Sequence, residues 1–117
     1  MNKINSIVFL FFITLTINLF SQKVYKVEYE SQADIKVFIV NYESQADLKV
    51  YMVKYESQAD KDGLWYNAAY ESQADFKLFF VQYESQADLK IYFVDYESQA
   101  GWNNNSKQYL LKFKNQK

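Results

Sequence analysis

One hexapeptide, Tyr-Glu-Ser-Gln-Ala-Asp, occurs six times in this chain, and it constrains the fold more than any other feature. Gly101, which replaces the final Asp of the sixth copy, is the only difference between copies. The copies begin at Tyr29, Tyr42, Tyr55, Tyr70, Tyr83 and Tyr96. Consecutive copies lie 13 residues apart, except the third and fourth, which lie 15 apart. A fixed period predicts stacked units that share one core, because a single unit cannot bury its apolar face alone.

The segment between successive hexapeptides is predicted to form a β-strand. In the first complete unit it reads Ile-Lys-Val-Phe-Ile-Val from residue 35, and later units keep this order of residue types. Its short length and its content of branched and aromatic residues favour a strand over a buried helix. Alternation along the strand places Ile35, Val37 and Ile39 on a deeply buried face. The opposite face is expected to be exposed to solvent at Lys36 and to become more buried toward Tyr42.

The links between strands lack the residues that make tight hairpins. The chain contains no Pro, and Gly63 and Gly101 are its only two Gly, whereas two-residue hairpins favour Gly, Asn or Asp in left-handed conformations. Glu-Ser-Gln-Ala tolerates right-handed helical dihedrals, so each link is predicted to be a short helical or 3₁₀ corner. The hexapeptide Ser or Asp is expected to cap the corner. Ser and Gln are expected to satisfy backbone groups in a crowded interior, and the six tyrosines to pack in the core and at the corners.

The repeats form two similar halves within one small domain, residues 22–117. Half one covers about residues 22–60 and half two about residues 61–101, and each contains a modified strand followed by two regular units. The segment Lys61-Asp62-Gly63, called the joint below, connects the halves. A closing strand is predicted at about residues 108–113, and the domain is expected to be a monomer.

Residues 1–21 have the pattern of a signal peptide. Lys3 precedes an apolar run at residues 7–20, which is shorter than the roughly 20 residues of a membrane span. Ser21 is a small residue suited to the cleavage position. We therefore expect a secreted or periplasmic domain with no membrane segment after cleavage, and a retained anchor is the alternative.

The composition argues against several chemistries. The chain has no Cys and no His, so disulfides, the usual zinc sets and Ser-His or Cys-His triads cannot be built. Its net charge of −1 argues against nucleic acid, whose phosphates require a basic surface. We expect no enzyme activity, no metal and no cofactor.

The Glu and Asp of each hexapeptide suggest two specific functions, calcium binding and glycoside hydrolysis, besides a structural role. A ladder of calcium sites would use such carboxylates, but calcium-binding repeats need glycine-rich turns that are absent here. A glycosidase needs two carboxyl groups in unequal environments, whereas repeated corners make the environments equal. The favoured interpretation is that Asp caps each corner and Glu is solvated.

Aromatic residues make up 20% of the chain, and three of them lie where the repeat is irregular. Trp65, Tyr66 and Trp102 are the candidate ligand contacts, because binding sites tend to occupy irregular segments on a rigid frame. Packing at the ends of the domain is the alternative role. Two functions follow: a stable, non-catalytic structural or binding module, or a module that recognises a glycan or a protein through these aromatic segments. The sequence indicates no specific partner.

The units resemble a bacterial family named for a seven-crossing torus, or septoil, knot. The resemblance rests on Tyr-x-Ser-Gln-Ala-Asp units at 13-residue spacing, on Lys-Val-Tyr/Phe-x-Val strands and on the doubled layout, and it covers about residues 23–113. It implies a compact, mainly β domain whose two halves wind around each other until the backbone is deeply knotted. It implies no activity and no site residues.

Overall fold

The computed structural model describes residues 21–112. The predicted signal peptide up to residue 20, and the last residue of the predicted closing strand, lie outside the described residues. The described part of the chain is mainly β and contains seven strands. They are β1 (Lys23–Lys26), β2 (Ile35–Ile39), β3 (Leu48–Met52), β4 (Leu64–Asn67), β5 (Phe76–Phe80), β6 (Leu89–Phe93) and β7 (Gly101–Trp102). No helix between residues 21 and 112 is long and apolar enough to cross a membrane.

Each hexapeptide forms the predicted 3₁₀ corner. The corners are Glu30–Gln32, Glu43–Gln45, Glu56–Gln58, Glu71–Gln73, Glu84–Gln86 and Glu97–Gln99. The Tyr before every corner has extended dihedrals, and so does the Ala after five of them. The exception is Ala59 (ψ 60°), which leads into the joint. A corner therefore adds one right-handed turn between two extended segments.

The strands form one closed, barrel-like sheet in which the two halves alternate. The order is β4-β1-β5-β2-β6-β3, β3 also pairs with β4 to close the ring, and all these pairings are parallel. The short β7 pairs antiparallel with the start of β3. Every pairing among the described residues joins a strand of the first half (β1–β3) to a strand of the second half (β4–β7).

A regular stagger between strands builds the core. The register advances by two residues at each strand, and this stagger places one pair of buried residues in each of four neighbouring pairings. The pairs are Val24 with Phe76, Leu78 with Ile35, Val37 with Leu89 and Ile91 with Leu48. All eight side chains are at most 3% exposed. Burying such side chains is worth about 1.5–3 kcal/mol each, and this column holds the ring together.

The predicted alternation fails at the end of each strand. Ile39 is 47% exposed, whereas Val40 is 5% exposed and donates its backbone N–H to Ile91 O. The chain turns toward the corner here, and the turn brings the next side chain inward. The face that was expected to become more buried toward Tyr42 does so at Val40 but not at its end, where the six hexapeptide tyrosines are 64–67% exposed. The prediction that they pack in the core was wrong.

The C-terminal segment also departs from the prediction. The expected closing strand at residues 108–113 is a one-turn helix, α1 (Tyr109–Lys112), preceded by a 3₁₀ turn at Asn105–Lys107. The free side of the start of β3 is already taken by β7, so a further strand has no edge there. α1 places Leu111, which is 1% exposed, against the main core cluster.

Candidate functional site

The hexapeptide Asp connects the two halves. Asp88 donates its backbone N–H to Lys36 O (2.8 Å), and its Oδ2 accepts the backbone N–H of Lys36 (2.9 Å). We call this pair of hydrogen bonds the Asp clamp. The same clamp joins Asp34 to Lys77, Asp47 to Lys90 and Asp75 to Lys23. The sequence predicted that this Asp caps its own corner. The Asp side chain instead accepts a backbone N–H from the neighbouring strand of the other half.

The hexapeptide Glu forms ion pairs rather than being only solvated. The pairs are Lys36–Glu30, Lys49–Glu43, Lys77–Glu71, Lys90–Glu84 and Lys23–Glu56, with N–O distances of 3.3–3.9 Å. They are solvent-accessible, and such pairs contribute only about 0–1 kcal/mol each. Among the described residues Glu97 is the one hexapeptide Glu outside these pairs.

The Ser and Gln of the corners are exposed throughout, so the prediction that they serve a crowded interior was wrong. Gln58 and Gln99 accept the backbone N–H of the Tyr that opens their own corner. These are the two corners next to the irregular segments. This side-chain hydrogen bond therefore occurs at the corners where the repeat pattern is about to break.

Gly63 of the joint lies in close contact with Gly101. A Cβ on Gly63 would lie 2.7 Å from Lys49 O and 2.9 Å from Gly101 N, which are distances no side chain can occupy. Gly101 has a φ of 148°, a conformation that Asp rarely adopts. These constraints explain both Gly in the chain and the loss of the Asp at the sixth copy.

Both tryptophans are anchored on Asp62 of the joint. Trp65 Nε1 donates to Asp62 O (2.7 Å), and Trp102 Nε1 donates to Asp62 Oδ2 (2.8 Å). Trp65 is 1% exposed and lies in the main core cluster. Tyr66 is half-buried against a smaller cluster formed with Val53. Of the three candidate contacts, Trp102 is the one that lines an open cleft.

That cleft lies between the joint and the sixth corner and has a volume of about 550 Å³. Its charged and polar side chains are those of Lys61, Asp62, Glu97 and Ser98, and Trp102 supplies the aromatic surface. The volume lies within the roughly 300–1,000 Å³ typical of small-molecule sites. Glu97 and Asp62 were not among the ligand contacts predicted from the sequence. The signals that could have identified them are the two departures from the repeat, the longer spacing at the joint and the Asp-to-Gly change at Gly101.

A second, more polar cleft of about 530 Å³ is lined by Asp47, Lys90, Asn104 and Lys107 among others. Its polar groups already bind one another and the backbone. Asn104 Nδ2 donates to Asp47 Oδ1, and Lys107 Nζ donates to Asp88 O. These contacts attach the C-terminal segment to the barrel, so the cleft has a structural role. Residues 21–112 contain no cluster of three or more acidic side chains placed to hold a metal ion.

Comparison with known proteins agrees with this architecture. No curated protein and no solved structure is significantly similar to the chain. A family model described as the 7(1) septoil knot domain matches residues 21–103, the segment that contains all seven strands and all six hexapeptide corners. The chain therefore belongs to the septoil knot domain family.

Proposed function

We propose that this chain is an exported, non-catalytic structural or binding module whose backbone is deeply knotted. The observation that carries the proposal is the alternation of the two halves around the closed sheet. Among the described residues, no two strands of the same half are neighbours in the sheet. Neither half can therefore form this sheet without the other.

The knot is supported by the path of the chain together with the family. The first half contributes β1, β2 and β3, and the second half returns between them as β4, β5 and β6. Two segments of one chain that interleave around a common axis cross each other repeatedly. Pulling the protein from its two ends in optical tweezers tests this. A knotted chain stops short of its full extended length, whereas an unknotted chain reaches it.

Resistance to unfolding would suit a protein outside the cytoplasm. The corners are exposed, but each is one helical turn between segments paired to the other half. A protease requires a locally opened segment, and opening one strand here breaks its pairings with two neighbours. Digestion with proteinase K under native conditions is expected to be slow. Rapid loss of the intact domain would contradict the proposed role.

Export is proposed from the pattern of residues 1–21. Expression of the full chain in a bacterium, followed by cell fractionation and N-terminal sequencing, is expected to give a mature chain that begins at Gln22 outside the cytoplasm. Recovery of the uncleaved chain in the membrane would support the anchor alternative. Light scattering of the purified protein is expected to give the mass of a monomer.

The second candidate function, recognition of a glycan or a protein by the irregular aromatic segments, is favoured by one observation. The cleft lined by Trp102 lies where both irregular segments meet.

A further inference from the structure

The cleft at the joint is the place where the repeated interactions of the domain stop. Asp60 is exposed and forms no Asp clamp, and Gly101 stands where the sixth copy would supply another. Glu97 lies outside the ion pairs that the other five hexapeptide Glu residues form. In a fold built from identical units, departures of this kind tend to mark functional or strained places. Here Glu97 and Gly101 line one concave site, and Asp60 directly precedes its residue Lys61.

The side chains around the cleft combine an aromatic surface with both donors and acceptors. Trp102 is held in position by its hydrogen bond to Asp62. Glu97 supplies a carboxylate and Lys61 an ammonium group, and Ser98 supplies a hydroxyl group that both donates and accepts. This combination suits the binding of a sugar, because the hydroxyl groups of a sugar donate and accept hydrogen bonds and its C–H faces pack on an indole ring.

Charge and size narrow the class of ligand. Two carboxylates and one ammonium group, those of Asp62, Glu97 and Lys61, line the cleft, and this excess of negative charge disfavours an anionic ligand. The volume of the cleft, about 550 Å³, lies in the range of small-molecule sites. A protein partner would instead need a contact surface of about 800 Å² on each side. An apolar ligand would leave the charged groups desolvated and unpaired.

We propose that this cleft binds a neutral saccharide, with Trp102 as the stacking surface and Glu97 as the principal hydrogen-bond acceptor. The inference deepens the proposed role as a binding module and depends on neither export nor the knot.

Binding can be measured with the protein purified after expression of the full chain. The probes are three neutral oligosaccharides (cellotetraose, xylotetraose and chitotetraose), an anionic uronate tetramer and tetralysine. Intrinsic fluorescence is informative because the chain has two Trp, and Trp65 at 1% exposure is shielded from a ligand. A saturable change on adding a neutral oligosaccharide would therefore come from Trp102. Isothermal titration calorimetry gives the dissociation constant.

The repeats supply matched control variants. Glu97→Gln is expected to weaken binding about tenfold, because a neutral amide oxygen replaces the charged acceptor and accepts a weaker hydrogen bond. Glu71→Gln changes the same hexapeptide position away from the cleft and is expected to leave the dissociation constant unchanged. Ser98→Trp should fill the cleft and abolish binding, whereas Ser72→Trp, at the equivalent corner position, should not.

Each outcome decides the proposal. Binding of a neutral oligosaccharide that is sensitive to Glu97→Gln and to Ser98→Trp supports it. Three results overturn it: no binding of any neutral probe, binding that both variants leave unchanged, and binding of tetralysine or the uronate alone. Release of reducing ends from a bound probe would support the site while contradicting the non-catalytic role, so the two proposals fail separately.

Discussion

The Asp88 clamp allows a direct measurement of what holds the two halves together. In Asp88→Ala the backbone N–H of Lys36 loses its acceptor, which lies 2.9 Å away and is partly buried. The reverse bond, from Asp88 N–H to Lys36 O, does not need the side chain. The substitution therefore removes half of one clamp and leaves the strand pairing in place.

The expected magnitude follows from the chemistry of the lost bond. A hydrogen bond to a charged group contributes about 1.5–3 kcal/mol, and an unsatisfied buried donor costs about 1–3 kcal/mol. Because the site is only partly buried, we expect Asp88→Ala to lower the free energy of unfolding by about 2 kcal/mol. For a domain of this size that corresponds to a decrease in Tm of about 8–16 °C. Asp88→Asn keeps a neutral acceptor and should lose about 1 kcal/mol.

Asp60→Ala is the matched control, because Asp60 occupies the same hexapeptide position but is exposed and forms no clamp. Its effect should remain within about 0.5 kcal/mol, as for most surface substitutions. Guanidinium unfolding followed by the fluorescence of the buried Trp65 measures all three variants. Equal losses for Asp88→Ala and Asp60→Ala would refute the idea that the clamp joins the halves.

Three further substitutions test other parts of the fold. Gly63→Ala places a methyl group 2.7 Å from Lys49 O, so thermal melting should show a loss of about 3 kcal/mol or no folded protein; a wild-type Tm would disprove the close contact at the joint. Leu111→Ala should cost about 2–5 kcal/mol in chemical denaturation, and a negligible effect would mean that α1 does not cover the core. Tyr42→Ser, at a side chain that is 66% exposed, should change the free energy of unfolding by less than about 0.5 kcal/mol; a loss of several kcal/mol would indicate that the exposed tyrosines pack against something.

The local structure of each unit followed from residue types and spacing. Branched and aromatic residues after Lys36 made a strand, observed as Ile35–Ile39, and the absence of hairpin residues made a 3₁₀ corner. Both properties depend on a few neighbouring residues, so a single sequence contains them. The family resemblance supplied the intertwining of the halves, which no local pattern indicates.

What could not be predicted depends on contacts between distant residues. Strict alternation placed Ile39 inside, but the closed ring turns the chain so that Val40 is buried instead. The Asp was expected to cap its corner, because its partner, a backbone N–H 43 or 52 residues away, cannot be read from spacing. The cleft could not be predicted for a similar reason: Asp62 and Glu97 are distant in sequence, and they line one cleft only in the folded chain, in which β7 pairs with the start of β3. Of the three predicted ligand contacts, Trp65, Tyr66 and Trp102, only Trp102 lines this cleft.

The alternation of the halves has a consequence for how such a domain changes length in evolution. An ordinary solenoid gains or loses one unit at a time, because each unit contacts only its sequence neighbours. Here an extra unit in one half would lie beside another strand of that half, and its Asp would face no Lys of the opposite half. Insertions and deletions should therefore occur as two coordinated events, one in each half, and relatives of different size should differ by an even number of 13-residue units.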